Sequence, residues 1–384
     1  MIAPTDEAGV AEAVRAAREP LAIEGNGSKR GLLRPVQAAQ VLSTRNLTGI
    51  TLYKPAELVL SARAGTPIPE IEAALAEHGQ HIISEPPDTS ALFGSDLPAT
   101  LGGIVATNLS GPRRISWGAM RDHVLGVRFV NGQGEVLRSG GRVLKNVTGL
   151  DLSKFLSGSH GTLGILTEVT IKVLPGPETS ATVAVPVADV AAGVRVLSAG
   201  LGSPFGVSAA AVLPQGFGDL ASPVALLRIE DFAPSVAYRA TKLASDFPGA
   251  SVIEAEASRH LWRAIRDAEP LAAQPGQAIW RVSARPTEGP RLVAALPGFS
   301  ALLDWGGGLV WLAGEGSEAN HRAVMAAAAA SRASFTLFRG PEALRAALPV
   351  ITPDQPALAA IGARVKAVLD PAGLFNPGRM RAGV

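Results

Sequence analysis

Residues 98–118 read Pro98-Ala-Thr-Leu-Gly-Gly-Ile-Val-Ala-Thr-Asn-Leu-Ser-Gly-Pro-Arg-Arg-Ile-Ser-Trp-Gly118, a stretch crowded with glycines, short hydroxyl side chains and small apolar residues. Gly102, Gly103 and Gly111 carry no Cβ, so the main chain there can take dihedrals closed to other residues or press against a bound group. Thr100, Thr107, Asn108 and Ser110 bring short polar groups to the same surface, within reach of phosphate or carbonyl oxygens. Two readings stand on this stretch alone: a wall built against a ligand, or a glycine-rich surface loop.

The flanking sequence bears on the choice. A first helix is expected with Thr5 as its cap, Asp6 and Glu7 in its opening turn and Pro20 beyond its end. Leu21-Ala-Ile23 then begins a strand that runs into Gly25-Asn26-Gly27-Ser28-Lys29. Backbone N–H groups exposed in such a turn can cradle a diphosphate, with Lys29 or Arg30 supplying charge. The spacing is not the Gly-x-Gly-x-x-Gly of nicotinamide domains, and no acidic residue follows in the required order. Strands are expected over 41–45, 58–64 and 80–85, with a helix opening at Pro67 and stopping at Gly79. Downstream, Asn131-Gly-Gln-Gly134 joins two strand-like segments as a hairpin. Ser157-Gly-Ser-His-Gly-Thr-Leu-Gly-Ile165 forms a third glycine and hydroxyl cluster at the mouth of a strand over 165–174. Three such clusters in one α+β half favour the ligand wall.

Pro175-Gly-Pro177 breaks the chain and marks a boundary, giving 1–176 as one domain and 177–350 as an alanine-rich α+β cap. In the cap, strands are expected near 224–230, 279–283 and 308–313, and a helix over 258–267. No internal repeat stands out. Residues 351–384 form a C-terminal helix over 356–369, with Ile361, Val365, Val368 and Leu369 inward, and a rigid tail that returns to dock.

Composition narrows the function classes. The 384 residues are 47% hydrophobic and 18% charged, as in a folded globular protein. With no cysteine, the chain can hold no Cys-ligated iron–sulfur cluster, and any such cluster belongs to a partner. A net charge of +2 without long basic runs speaks against nucleic acid. The N-terminal sequence has no secretory pattern and no apolar stretch reaches membrane-span length, so the expected location is cytoplasmic, with access to the inner face of the membrane only through partners.

Taken together, residues 25–29, Ala99-Thr-Leu-Gly-Gly-Ile-Val-Ala-Thr-Asn108, Val143-Leu-Lys-Asn-Val-Thr-Gly-Leu-Asp151, Ser157 to Ile165 and Leu374-Phe-Asn-Pro-Gly378 resemble the FAD-binding family of vanillyl-alcohol oxidase and the D-2-hydroxyacid dehydrogenases. Tyr53-Lys-Pro-Ala-Glu-Leu-Val59, Ala62-Arg-Ala-Gly-Thr-Pro67 and Leu261-Trp-Arg-Ala-Ile-Arg-Asp267 are similar to the FAD-binding E subunits of glycolate oxidase. The resemblance implies an α+β fold with a two-part PCMH-type FAD-binding domain, a cap and a returning tail. It places Gly25, Asn26, Gly27, Ser28 and Lys29 on the FAD diphosphate. Pro98, Ala99, Thr100, Gly102, Gly103, Thr107, Ser110 and Gly111 would lie along diphosphate, ribityl chain and ring. Gly161, Gly164 and Ile165 would cover the adenine side or the flavin edge.

Relatives with covalent flavin carry a histidine near the first glycine loop, where this chain has Gly25-Asn26-Gly27-Ser28, so noncovalent FAD is expected. Close relatives have Glu where this chain has His160. Catalytic relatives carry Gly-His-x-Gly-Asp-Gly-Asn-x-His in the cap, and residues 314–321 echo it with one histidine, His321, too few for a metal site. The implied activity is glycolate, a 2-hydroxy acid, to glyoxylate, beside a catalytic FAD subunit and an iron–sulfur subunit that pass electrons toward quinone. Arg281 could grip a carboxylate bidentately and Asn376 could orient substrate; the catalytic residues are not identified. A stand-alone FAD oxidoreductase of another hydroxy acid or alcohol, and a non-catalytic scaffold subunit, are the other two readings.

Overall fold

The computed structural model describes residues 1–141, 150–220 and 222–383. Of the Val143 to Asp151 motif, only Leu150 and Asp151 fall within them. The chain separates into two compact units: Met1–Ser110, Gly118–Gly176 and Pro353–Val384 form the first, and Gly111–Trp117 with Pro177–Thr352 the second.

The first unit contains β1 (Leu21–Glu24), β2 (Gln40–Ser43), β3 (Ile50–Lys54), β4 (Val59–Arg63), β5 (Gln80–His81), β6 (Val124–Val130), β7 (Val136–Gly140), β8 (Ile165–Lys172) and β9 (Leu174–Pro175). Five of them make an antiparallel sheet in the order β3-β4-β8-β6-β7, while β1 and β2 form a separate parallel pair. β8 is central because its burial is nearly continuous, as expected of a strand covered on both faces. Helices Ile68–Ala76 and Leu101–Thr107 put Ile71, Leu75, Leu101, Ile104 and Val105 into the same core as Leu60, Phe129, Val169 and Ile171. A second cluster, built from Val10, Val14, Leu21, Leu42, Ile165 and Phe375, joins the first helix, the parallel pair and the tail.

Several local expectations change. The first helix is Glu7–Ala16 and its cap is Asp6, not Thr5, because the Asp6 carboxylate accepts the Gly9 N–H at 2.7 Å. The strand expected over 80–85 shortens to Gln80–His81. Residues 101–107, half of the opening stretch, are a helix and not a loop: Thr100 caps it by accepting the Gly103 N–H at 3.3 Å, and Asn108 ends it in the left-handed region. Helix Pro356–Leu369 buries Leu369 and half-buries Val365, but Ile361 and Val368 face outward at 48% and 72% exposure. The chain is anchored instead just past that helix. Asp370 accepts the N–H groups of Leu374 and Phe375, and Leu21 donates to Leu374 O at 2.8 Å, which lays the tail along β1.

The second unit contains β10 (Thr179–Pro186), β11 (Val207–Leu213), β12 (Val224–Asp231), β13 (Ser251–Glu254), β14 (Ala278–Ser283), β15 (Ser300–Asp304), β16 (Leu309–Gly314) and β17 (Ser334–Arg339). They form one antiparallel sheet in the order β13-β10-β12-β11-β15-β16-β14-β17. Each half follows the path strand, helix, strand, strand, helix, strand, with its fourth strand beside its first and its second strand at the seam, where Val212 pairs with Leu303. The unit is therefore a structural repeat that the sequence does not display. A strand-and-helix path requires only matching apolar periodicity, so the two halves keep a topology without keeping residues.

Candidate cofactor-binding site

The site is built on the turn that follows β1. Among the described residues, the backbone N–H groups of Asn26, Gly27, Ser28 and Lys29 have no acceptor in the chain. Gly27, at φ +73°, gives the turn its concave form, and a Cβ there would stand 2.9 Å from Arg30 Nε. Gly25 is required for a different reason: its Cβ would fall 2.3 Å from Thr100 Oγ1. The turn thus leans directly on the start of the 101–107 helix. Asn26 strengthens that contact by donating its side-chain amide to Pro98 O at 3.0 Å. Residues 25–29 and 98–103 are brought together as one wall.

Electrostatics at this wall favour an anion. Lys29 is buried, and its ammonium makes one hydrogen bond in the chain, to Ser28 Oγ at 3.3 Å. Burial lowers its pKa to about 8, against an opposing pull from Asp88. Arg379, from the tail, donates to Lys29 O at 2.9 Å and to Arg34 O at 3.1 Å, fixing a second cation to the same segment. The His160 imidazole is pushed down to about 3 by burial first and then by Arg379 and Lys29, so it is neutral. Free N–H groups in a concave turn beside an unpaired buried ammonium form a nest for phosphate oxygens, and these residues fit the FAD diphosphate.

The remaining expected residues divide by the task the fold gives them. The first-turn N–H groups of Leu101, Gly102 and Gly103 are taken by Thr66 O, Ala64 O and Thr100 Oγ1, so this helix end offers no donors. Gly102 is small because a Cβ would meet Ala64 Cβ at 2.8 Å, which makes it a packing glycine in ordinary helical conformation. Ala99 carries the helix entrance by accepting the Ile68 N–H. Thr107 donates to Gly103 O at 2.8 Å, and Ser110 Oγ accepts the Met120 N–H at 2.9 Å. Gly111 packs with the second unit, where its carbonyl accepts the Trp305 indole N–H at 3.0 Å.

A Cβ at Gly164 would stand 2.8 Å from the Phe129 ring and Ile165 is in the second core cluster, so both serve packing. Gly161, at φ +71°, passes beside Asn376. Asn376 has a different task from the substrate contact expected of it. Its Oδ1 accepts the Ile23 N–H at 2.7 Å, and its Nδ2 donates to His160 O at 2.8 Å and to Ile23 O at 3.3 Å. With its amide engaged on both sides, it clamps the third glycine cluster onto β1. Arg379 is the site residue that sequence reasoning missed; its only signal was the rigid Asn376-Pro-Gly-Arg379 tail.

In the second unit, His321 is a core residue. Its Nδ1 accepts the Trp280 indole N–H at 2.9 Å and its Nε2 donates to Pro349 O at 2.9 Å, while burial pushes its pKa down. Among the described residues no group of three His, Cys, Asp or Glu side chains converges as a metal site, and no helix is long and apolar enough to cross a membrane.

A turn with free N–H groups on an α+β unit, joined in one chain to a larger antiparallel sheet unit, fits the class of FAD-binding α+β flavoproteins, and residues 1–140 match the family described as FAD binding domain. A solved structure of alkyldihydroxyacetonephosphate synthase shares the fold, with a TM-score of 0.71 and 16% identity over 98% of this chain and 76% of that one. Over 366 residues, 95% of its length, the chain is 37% identical to glycolate oxidase subunit GlcE of Escherichia coli (strain K12), covering 93% of that protein. It therefore belongs to the PCMH-type FAD-binding oxidoreductases, in the branch of the glycolate oxidase E subunits. Glycolate oxidase subunit GlcD of Bacillus subtilis (strain 168) is 31% identical over 56% of this chain and 43% of its own length.

Proposed function

We propose that this chain is the FAD-binding subunit of a glycolate oxidase assembly that oxidises a 2-hydroxy acid, glycolate, to the corresponding oxo acid. The observation that carries the reading is the nest at residues 26–29 with its unpaired Lys29, in a chain similar over nearly its whole length to a glycolate oxidase subunit. FAD, when bound, supplies the acceptor for the hydride removed from the hydroxy acid. The residues of the chain do the holding: four N–H groups and Lys29 on the diphosphate, Arg379 and Asn376 keeping that wall in place. No histidine lies in the nest turn, which supports noncovalent attachment. The absence of cysteine supports partners, since electrons leaving through iron–sulfur clusters require thiolates this chain lacks. A catalytic FAD subunit and an iron–sulfur subunit are the proposed partners.

The test is flavin counting followed by anaerobic reduction. Purified chain should retain one flavin after desalting, and glycolate should bleach it when the partner subunits are present. A colourless folded chain would refute the cofactor assignment, and bleaching by glycolate at full rate without partners would refute the assembly.

A further inference from the structure

Helix Pro356–Leu369 seats only its last turns on the first unit. Leu369 is buried and Val365 half-buried against the core that holds Leu60, Phe129 and Ile171. Lys366 ties the same end down by donating to Asp370 at 2.6 Å and to Thr162 O at 2.7 Å. The nine residues from Pro356 to Arg364 are all exposed, an overhang of about 13 Å. The apolar face that enters the core at Leu369 and Val365 continues along this overhang as Ile361 and Leu358, with Val368 beside it, and Leu358 is 58% exposed. Leu358, Ile361, Val365 and Val368 follow one another at intervals of three, four and three residues, the spacing with which one helix offers a seam to another.

The overhang is poorly equipped to stand in water. Gln355 gives it no side-chain cap, its first turn carries no acidic residue, and Gly362 interrupts it at a cost of roughly 1 kcal/mol against alanine. Helices this short are marginal in water unless a face is packed. Among the described residues none covers Leu358 or Ile361, so the packing that would steady this segment has to come from outside the chain.

Charge selects among the occupants. From Pro356 to Ala363 there is no charged residue, and Arg364, on the flank of the seam, makes no hydrogen bond or ion pair with any described residue. An arginine drawn to the rim of an apolar contact needs an acceptor, and its fork suits a carboxylate. A second copy offers none. Laid antiparallel on its twin, the helix would bring both Arg364 side chains to the same flank within about 5 Å of each other along the axis, as like charges. The occupant is therefore a different chain, with an apolar helix stripe and a carboxylate opposite Arg364.

Position narrows it further. The helix passes at Asp370 into the tail that lies along β1 and ends beside the nest at Arg379. Of the partners proposed above, the one that has to approach the cofactor-holding unit to take electrons from it is the iron–sulfur subunit. We propose that the overhang Pro356–Arg364, with Val368, is the docking surface for that iron–sulfur subunit, which lays an apolar, carboxylate-bearing helix on Leu358, Ile361 and Val368. The choice of subunit rests on the assembly reading, while the need for a covering chain rests on the exposed seam.

The experiment titrates the full FAD-loaded chain with the iron–sulfur subunit and, separately, with the catalytic FAD subunit, and follows backbone hydrogen exchange. The iron–sulfur subunit should slow exchange at residues 360–364. Leu358→Glu combined with Ile361→Glu should weaken its binding roughly tenfold or more, as for the anchors of an interface, with flavin occupancy unchanged. Arg364→Glu, which leaves the apolar seam intact, should weaken it about threefold, and the wild-type affinity should fall with added salt. Equal binding by wild type and both variants would overturn the docking surface alone. Protection of residues 360–364 by the catalytic FAD subunit instead, or by self-association of this chain, would overturn the choice of occupant. A wild-type chain that binds neither subunit would overturn the assembly reading and the docking surface together.

Discussion

The pH dependence of FAD affinity follows from the state of Lys29. In the free protein its pKa is lowered to about 8 because burial strips the ammonium of water and no carboxylate contacts it. A dianionic diphosphate in the nest restores the missing charge partner and raises the pKa again. The sign is fixed by which form binds. Protonated Lys29 holds the diphosphate, so affinity is full below about pH 7 and falls as the free protein deprotonates through pH 8. Beyond that point the dissociation constant rises about tenfold per pH unit, giving a loss of about 1.4 kcal/mol between about pH 7 and pH 9. Stability of the FAD-free protein moves in the opposite sense. A lysine whose folded pKa lies below its unfolded value of 10.5 costs stability that is recovered as pH rises from about 8 toward 10.5. Calorimetry in two buffers of different ionisation enthalpy should record uptake of about half a proton on FAD binding at about pH 8. Lys29→Met should bind more weakly and with a flat pH profile. A wild-type profile equally flat, or no proton uptake, would refute the reasoning.

Two further changes test the wall itself. Gly27→Val places a β-branched residue at φ +73° against Arg30, at a cost of roughly 1–3 kcal/mol, and turns the free N–H groups away; a folded variant with full flavin occupancy after desalting contradicts the nest. Asn376→Ala strands the half-buried Ile23 N–H and the clamp on His160, so urea unfolding should show a loss of roughly 1–3 kcal/mol. An unchanged midpoint accompanied by a raised KM would instead make Asn376 a substrate ligand.

How much was legible varies by residue. The turn at residues 25–29 could be read because a nest needs only local properties: glycines for curvature, a hydroxyl, and a lysine beside them. The helix inside the opening stretch was not read, since Gly102 serves helix packing and the alternatives weighed were a ligand wall and a surface loop. Gly102 is excluded from bearing a side chain by Ala64, far away in sequence, and no local pattern encodes that distance. The outward faces of Ile361 and Val368 were misread for the same reason: periodicity identifies an apolar stripe but not whether anything lies opposite it.

The sequence by itself determined the class of chemistry. Three glycine and hydroxyl clusters in order, a break at residues 175–177 and the absence of cysteine are properties of composition and spacing, and they sufficed for a ligand wall in a chain without Cys-ligated iron–sulfur chemistry; FAD followed from the resemblance of those segments to a known family. Tertiary structure alone decided which polar groups remain available. Thr100, Thr107, Ser110 and Asn376 look equivalent to Ser28 as short polar side chains, yet the fold consumes the first four in caps and clamps while leaving the Lys29 ammonium with a single hydrogen bond and the Arg281 Nε with none. Hydrogen-bond satisfaction is set by contacts between distant segments, so it appears only when the chain has closed on itself.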